Sequence, residues 1–133
     1  MNRIKFESLV STAISELPDE FIAKLENVDI VVQAWPTSDQ LREAEINSGY
    51  TLLGLYEGVP RTERGQYYGL VPPDKITIFQ GPIEEKCRQD NIEIATEIGK
   101  VVRHEIAHHF GISDARLEQI ENESDDQSSP GLL

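Results

Sequence analysis

All three histidines of this chain fall within one stretch, Val102-Arg103-His104-Glu105-Ile106-Ala107-His108-His109-Phe110-Gly111-Ile112-Ser113-Asp114, which constrains the fold more than any other part of the sequence. On an α-helix, positions i and i+4 lie about 40° apart and one turn up, at roughly 100° per residue. His104 and His108 can therefore aim their imidazoles at one point, at the distance of about 2.0–2.1 Å that a zinc–nitrogen bond requires. Glu105 lies about 100° around the helix from His104, close enough to reach a metal-bound water without being forced to bind the metal. This is the H-E-x-x-H pattern, in which the glutamate is a general base. His109 sits about 140° from His104, so it diverges from that point and reads as a packing or supporting residue.

Two histidines do not complete a site, because a catalytic zinc usually takes three protein ligands and leaves a fourth position for water. Gly111 can adopt positive φ without a Cβ penalty, which makes a chain reversal after the helix feasible. Asp114 then arrives three residues later with a hard oxygen donor. Two imidazoles and a carboxylate suit one zinc ion, although iron, cobalt or manganese could also occupy such a shell. Cys87, the only cysteine, offers no second thiol for a disulfide, which fits a reducing compartment.

The remaining sequence predicts an α+β domain, with a small mixed sheet packed on helices and the metal-binding stretch on a long helix near the C-terminus. Residues 4–16 place Ile4, Phe6, Leu9, Val10, Ala13 and Ile14 near helical spacing. Pro18 is suited to the first turn of a second helix running to about Leu25, with Asp19 and Glu20 near its positive end. The β-branched run from Val28 reads as a buried strand that Pro36 stops, with Trp35 as a core residue. A short helix is expected from Ser38 to about Ile46, capped by Thr37 or Ser38. Thr51–Tyr56 and Lys75–Phe79 read as strands, the latter closed by Gly81-Pro82, with a short helix at 83–89. Between the two strands lies a loop carrying Arg61, Arg64, Tyr67 and Tyr68, residue types able to bind a substrate carboxylate, though most exposed loop residues do neither this nor catalysis. Asn91 looks like the cap of the long helix, whose inward stripe is Ile94, Ile98, Val101, Val102 and Ile106. Gly111 ends it, and Ser113 is placed to cap one more helix over 114–122.

At 133 residues the length suits one domain. The net charge of −12 argues against nucleic acid or an anionic membrane as partner, since phosphate binding needs a basic face. No window approaches the roughly 18 apolar residues of a membrane span, and an acidic, polar mix follows the N-terminus where a signal peptide would be apolar. The expectation is a cytoplasmic protein, with a domain over 1–122 and an acidic, disordered tail over 123–133.

With these residues in view, the chain resembles the zincin-like metallopeptidases that carry H-E-x-x-H-x-x-G-x-x-D, the aspzincin-type pattern, and more narrowly the small bacterial minimal-zincin domains. Residues 104–114 match that pattern throughout, and the segments 52–60 (Leu-Leu-Gly-Leu-Tyr-Glu-Gly-Val-Pro) and 73–79 (Pro-Asp-Lys-Ile-Thr-Ile-Phe) also look like these domains. The resemblance implies His104, His108 and Asp114 as metal ligands and Glu105 as catalytic base. It also implies a sheet edge above the metal helix for an extended substrate, with Thr51–Tyr56 or Lys75–Phe79 as the candidate strand. Relatives with a third histidine use a downstream methionine turn beneath the metal; here Met1 is the only methionine. The expected activity is zinc-dependent hydrolysis of short or unstructured peptides, because so small a domain offers only a shallow cleft. The alternatives are a metal- or peptide-binding module of the same fold whose catalysis has lapsed, and an interaction domain working through its acidic tail.

Overall fold

In a computed structural model, the described residues are 1–44, 52–58 and 73–113, together with 115, 116, 118, 119 and 122. Asp114, most of the 45–72 region with Arg61, Arg64, Tyr67 and Tyr68, and the 123–133 tail lie outside them.

Asn2 opens helix α1 (Arg3–Ser15): its side chain accepts the Lys5 N–H at 2.8 Å, satisfying one of the donors that a helix start leaves unpaired. Phe6, Val10 and Ala13 recur every three or four residues on one face and are buried. Pro18 caps α2 (Asp19–Lys24), where Asp19 and Glu20 in the first turn and Lys24 in the last complement the helix dipole. Strand β1 (Val28–Gln33) follows, then α3 (Ser38–Glu43). In α3, Thr37 and Gln40 form a reciprocal capping box, so the cap is Thr37 rather than Ser38.

Strands β2 (Gly54–Glu57) and β3 (Asp74–Phe79) complete a three-stranded sheet in the order β1-β3-β2, with β1 parallel and β2 antiparallel to β3. The mixed α+β architecture therefore agrees with the sequence. Central position explains why Ile76, Thr77, Ile78 and Phe79 are all fully buried: a strand covered on both faces loses the hydrophobic/polar alternation of a half-exposed one.

The strand expected over Thr51–Tyr56 is observed as Gly54–Glu57, with Leu52 and Leu53 ahead of it, and two helix boundaries differ further from expectation. Helix α4 (Gln80–Asp90) starts directly after β3, so Gly81 and Pro82 lie in its first turn rather than closing the strand; proline is tolerated there because the first-turn N–H groups have no intrahelical acceptor. Asn91 does not open the next helix. It ends α4 in the left-handed region, at φ 55° and ψ 50°, which asparagine tolerates better than most residues, and Glu93 is the cap of α5.

Helix α5 (Ile94–Phe110) is the spine of the molecule. Ile98, Val102 and Ile106 are fully buried, Val101 is nearly so, and α5 packs against α1, α2, α4, β2 and β3. Burying such side chains stabilises the fold by about 1.5–3 kcal/mol each, which makes α5 a firm platform. Gly111 ends it at φ 70°, and the Ile112 N–H closes on the Ala107 carbonyl at 2.9 Å while Ile112 packs back on the core. Ser113 accepts the Arg116 N–H at 3.1 Å, the capping role expected of it, and Arg116 reaches Glu20 of α2 at 2.7 Å. The chain thus reverses after Gly111.

Trp35 is not core: it is 54% exposed. β1 has already ended at Gln33, and the indole lies against Gly81, where a Cβ would come within 2.3–2.8 Å of ring atoms. The glycine's bare backbone takes one ring face, and water keeps the other. Among the described residues, no helix is long and apolar enough to cross a membrane.

Candidate active site

The apolar stripe of α5 decides what its other face can present. With Val101, Val102 and Ile106 turned inward, the helix leaves His104 and Glu105 half-buried and His108 exposed. The rings of His104 and His108 have centroids 6.2 Å apart and planes at 73°. One turn of helix thus puts two imidazoles side by side, as the spacing predicts. Among the described residues, no three or more His, Cys, Asp or Glu side chains form a group able to hold a metal ion, and Asp114 is not among those residues.

The edge strand β2 runs beside this turn. Its approach depends on Gly54, where a Cβ would fall 2.6 Å from Val101 Cγ1 and 3.4 Å from Glu105 Cγ. A glycine inside a strand is a common mark of such close backbone approach. Antiparallel pairing alternates residues bonded to the partner with residues facing away. The Phe79 N–H bonds the Leu53 carbonyl at 3.0 Å, so Gly54 and Tyr56 direct their main-chain groups away from β3, to the side where no strand pairs with β2 among the described residues. The Tyr56 main chain lies close enough to the Glu105 carboxylate to act on it. Burial is the strongest influence on Glu105 and pushes its carboxyl above the usual range, while the positive charge of His108 and the Tyr56 N–H pull it down. Of the two strands that could have formed the sheet edge, Lys75–Phe79 is therefore excluded: it belongs to β3, which is central.

Tyr56 is held by its side chain. Its ring stacks on His109 at 3.7 Å between centroids and 12° between planes, and meets Phe110 edge-on at 6.0 Å. Its hydroxyl donates to Asp74 Oδ2 at 2.9 Å, and His109 Nε2 lies 3.8 Å from the same oxygen. Glu105 and His109 are four residues apart on α5, so one stripe of the helix faces Tyr56, with His109 stacked on its ring. His109 thus serves as a packing residue, pointed away from the His104–His108 pair. Sequence reasoning missed Tyr56 and Asp74. They are joined only by the β2–β3 register, which pairs Tyr56 with Ile76 and leaves Asp74 two residues further along β3.

A search among curated proteins gives no match. The sequence pattern of one family, described as zincin-like metallopeptidase, matches residues 25–124, most of the chain and all of the elements around this site. The chain therefore belongs to the zincin-like metallopeptidase family.

Proposed function

We propose that this protein is a zinc-dependent peptidase that hydrolyses short or unstructured peptides, with His104, His108 and Asp114 holding one zinc ion and Glu105 acting as general base. The observation that carries the proposal is the side-by-side placement of the His104 and His108 rings next to a half-buried Glu105, on a helix fixed by its core face. The donor chemistry fits the ion. Two imidazoles on one tetrahedral zinc, each bonded at about 2.0–2.1 Å, keep their centroids roughly 5 Å apart. The observed 6.2 Å leaves a closing movement on the order of 1 Å, within the reach of side-chain torsions. A bound zinc would supply Lewis acidity toward a substrate carbonyl and bring the pKa of a water toward neutrality.

The protein's own groups supply the rest. A carboxylate has two oxygens with about four lone-pair sites, so Glu105 can turn an oxygen to the attacking water while the Tyr56 main chain lies near the other. It takes the proton from that water and returns it to the leaving amine. The side of β2 that faces away from β3, unpaired among the described residues, offers main-chain groups at Gly54 to which an extended peptide can bond as an added strand. So short an edge suits unfolded segments rather than folded proteins.

One observation favours a second reading, a metal- or peptide-binding module without turnover: the Tyr56 main chain already acts on the carboxylate that must serve as base. Incubation with a mixed peptide library separates the two. The peptidase reading expects cleavage that a chelator abolishes and that Glu105→Gln reduces by at least about a hundredfold, in the range of general-base contributions. Full activity in Glu105→Gln would remove Glu105 from the mechanism, and peptide binding without cleavage would favour the module.

A further inference from the structure

A cleft of about 350 Å³ opens between β2 and α5, starting at His104 and Glu105 and running toward the N-terminal half of the helix. Leu52, Leu53 and Val101 give it aliphatic walls, and Gly54 lines it without adding a side chain. Its far end is charged. Lys86 Nζ lies 2.9 Å from Glu97 Oε2, and the Glu97 side chain is only 3% exposed, so these two charges neutralise each other at the base. Lys100 is exposed and makes no ion pair among the described residues. The cleft lining thus sets Lys86 and Lys100 against Glu97 and Glu105, and Lys100 is its cation without an ion pair among the described residues.

We infer that this cleft is a specificity subsite for a carboxylate-bearing part of the peptide, with an aliphatic stem against Leu52, Leu53 and Val101 and the carboxylate at Lys100. The inference rests on the peptidase reading above and names its substrate class: peptides with Glu or Asp close to the cut, or with a free C-terminal carboxylate there. A glutamate side chain carries enough methylene to cover the apolar walls before its charge reaches the lysine. A lysine side chain in the same place would bring two ammonium groups together, and a neutral one would leave Lys100 unanswered.

The test compares peptides that are identical except for Glu, Gln or Lys at each position flanking the cut, each made with a free and an amidated C-terminus. The wild-type protein should prefer Glu over Gln by up to about fivefold in kcat/KM, the range an exposed ion pair supports. Lys100→Glu should turn this into a preference for the Lys peptide. Lys5→Glu, an exposed change of the same charge on α1, should leave the order intact, which separates a local contact from the protein's overall field. A preference that follows the C-terminal carboxylate instead of the side chain assigns the subsite to the chain end. Equal rates for Glu and Gln peptides in both C-terminal forms, or a Glu preference that survives Lys100→Glu, overturns the inference.

A second readout does not need turnover. Amide chemical shifts of Leu53, Lys100 and Val101 should move on titration with N-acetyl-Leu-Glu-amide more tightly, by the same factor of about five, than with N-acetyl-Leu-Gln-amide. Lys100→Glu should erase the difference. Charge-dependent binding in a protein that cleaves nothing would sink the peptidase reading while the subsite stands. Charge-independent binding would sink the subsite.

Discussion

Replacing Gly54 with alanine probes how the sheet edge is set against the active-site helix. The new Cβ would lie 2.6 Å from Val101 Cγ1, with Glu105 Cγ and the Thr77 carbonyl each at 3.4 Å. Carbon atoms pack at about 3.5–4.0 Å, so the first contact is short by about 1 Å. Val101 has little freedom to yield: it is 6% exposed, and a valine in a helix strongly prefers one χ1 rotamer. The strand must therefore move away from α5. Overpacking of this kind destabilises by about 1–3 kcal/mol, which for a domain of this size lowers Tm by roughly 3–12 °C. Thermal unfolding followed by far-UV circular dichroism measures the effect. A double-mutant cycle identifies its cause. Val101→Ala alone leaves a cavity, but in the Gly54→Ala/Val101→Ala pair the new methyl enters the space vacated by the old ones. The double variant should then be more stable than the sum of the single changes by at least about 1 kcal/mol. A Gly54→Ala protein within about 0.5 kcal/mol of wild type, or strictly additive effects, would refute the argument that Gly54 allows β2 to reach Glu105.

Other outcomes follow from single contacts. Tyr56→Phe removes the hydroxyl that Asp74 accepts at 2.9 Å, and should lower stability by about 1–2 kcal/mol in urea denaturation; an unchanged midpoint would mean that the bond contributes nothing. Among the described residues, Thr77 Oγ1 is buried without a hydrogen-bond partner, so Thr77→Val, which replaces it with an isosteric methyl, should raise stability by up to about 1 kcal/mol, and a destabilised variant would reveal a partner for the hydroxyl. Burial, followed by the Glu97 charge, pushes the Cys87 thiol above its ordinary pKa. The folded protein should therefore resist iodoacetamide at mildly alkaline pH and react once denatured; equal rates in both states would contradict its burial. Because the folded thiol holds its proton more tightly than the unfolded one, its contribution to stability is complete below the unfolded pKa and declines as pH rises through the folded value, so the unfolding midpoint should fall on that alkaline limb.

The sequence carries those parts of this structure that depend on local chemistry. The spacing of His104 and His108, the buried stripe through Ile98, Val102 and Ile106, and the left-handed stop at Gly111 all follow from helical periodicity and the special freedom of glycine, and all three are present. Asn91 shows where local chemistry is ambiguous. Asparagine is favoured both as a helix cap and in the left-handed conformation, and only the length of the preceding helix decides between them. Trp35 and Gly81 are partners across more than forty residues of sequence, so the exposed indole cannot be inferred from the apolar run before it. The same holds for Gly54, Tyr56 and Asp74. A glycine in a strand signals close approach but does not say to what, and no spacing rule links Tyr56 to Asp74 until β2 is known to pair with β3 in its actual register. The site is thus legible where one helix builds it, and hidden where the sheet completes it.

Metal content tests the account most directly. Protein purified without chelator should hold about one zinc per chain by elemental analysis, in the three-ligand-plus-water arrangement typical of catalytic zinc. Glu105→Gln should keep that ion, whereas His104→Ala and His108→Ala should each lose most of it. Wild-type protein that takes up no divalent metal even on soaking, or full zinc occupancy in His104→Ala, would contradict the claim that this turn of α5 is a metal-binding site.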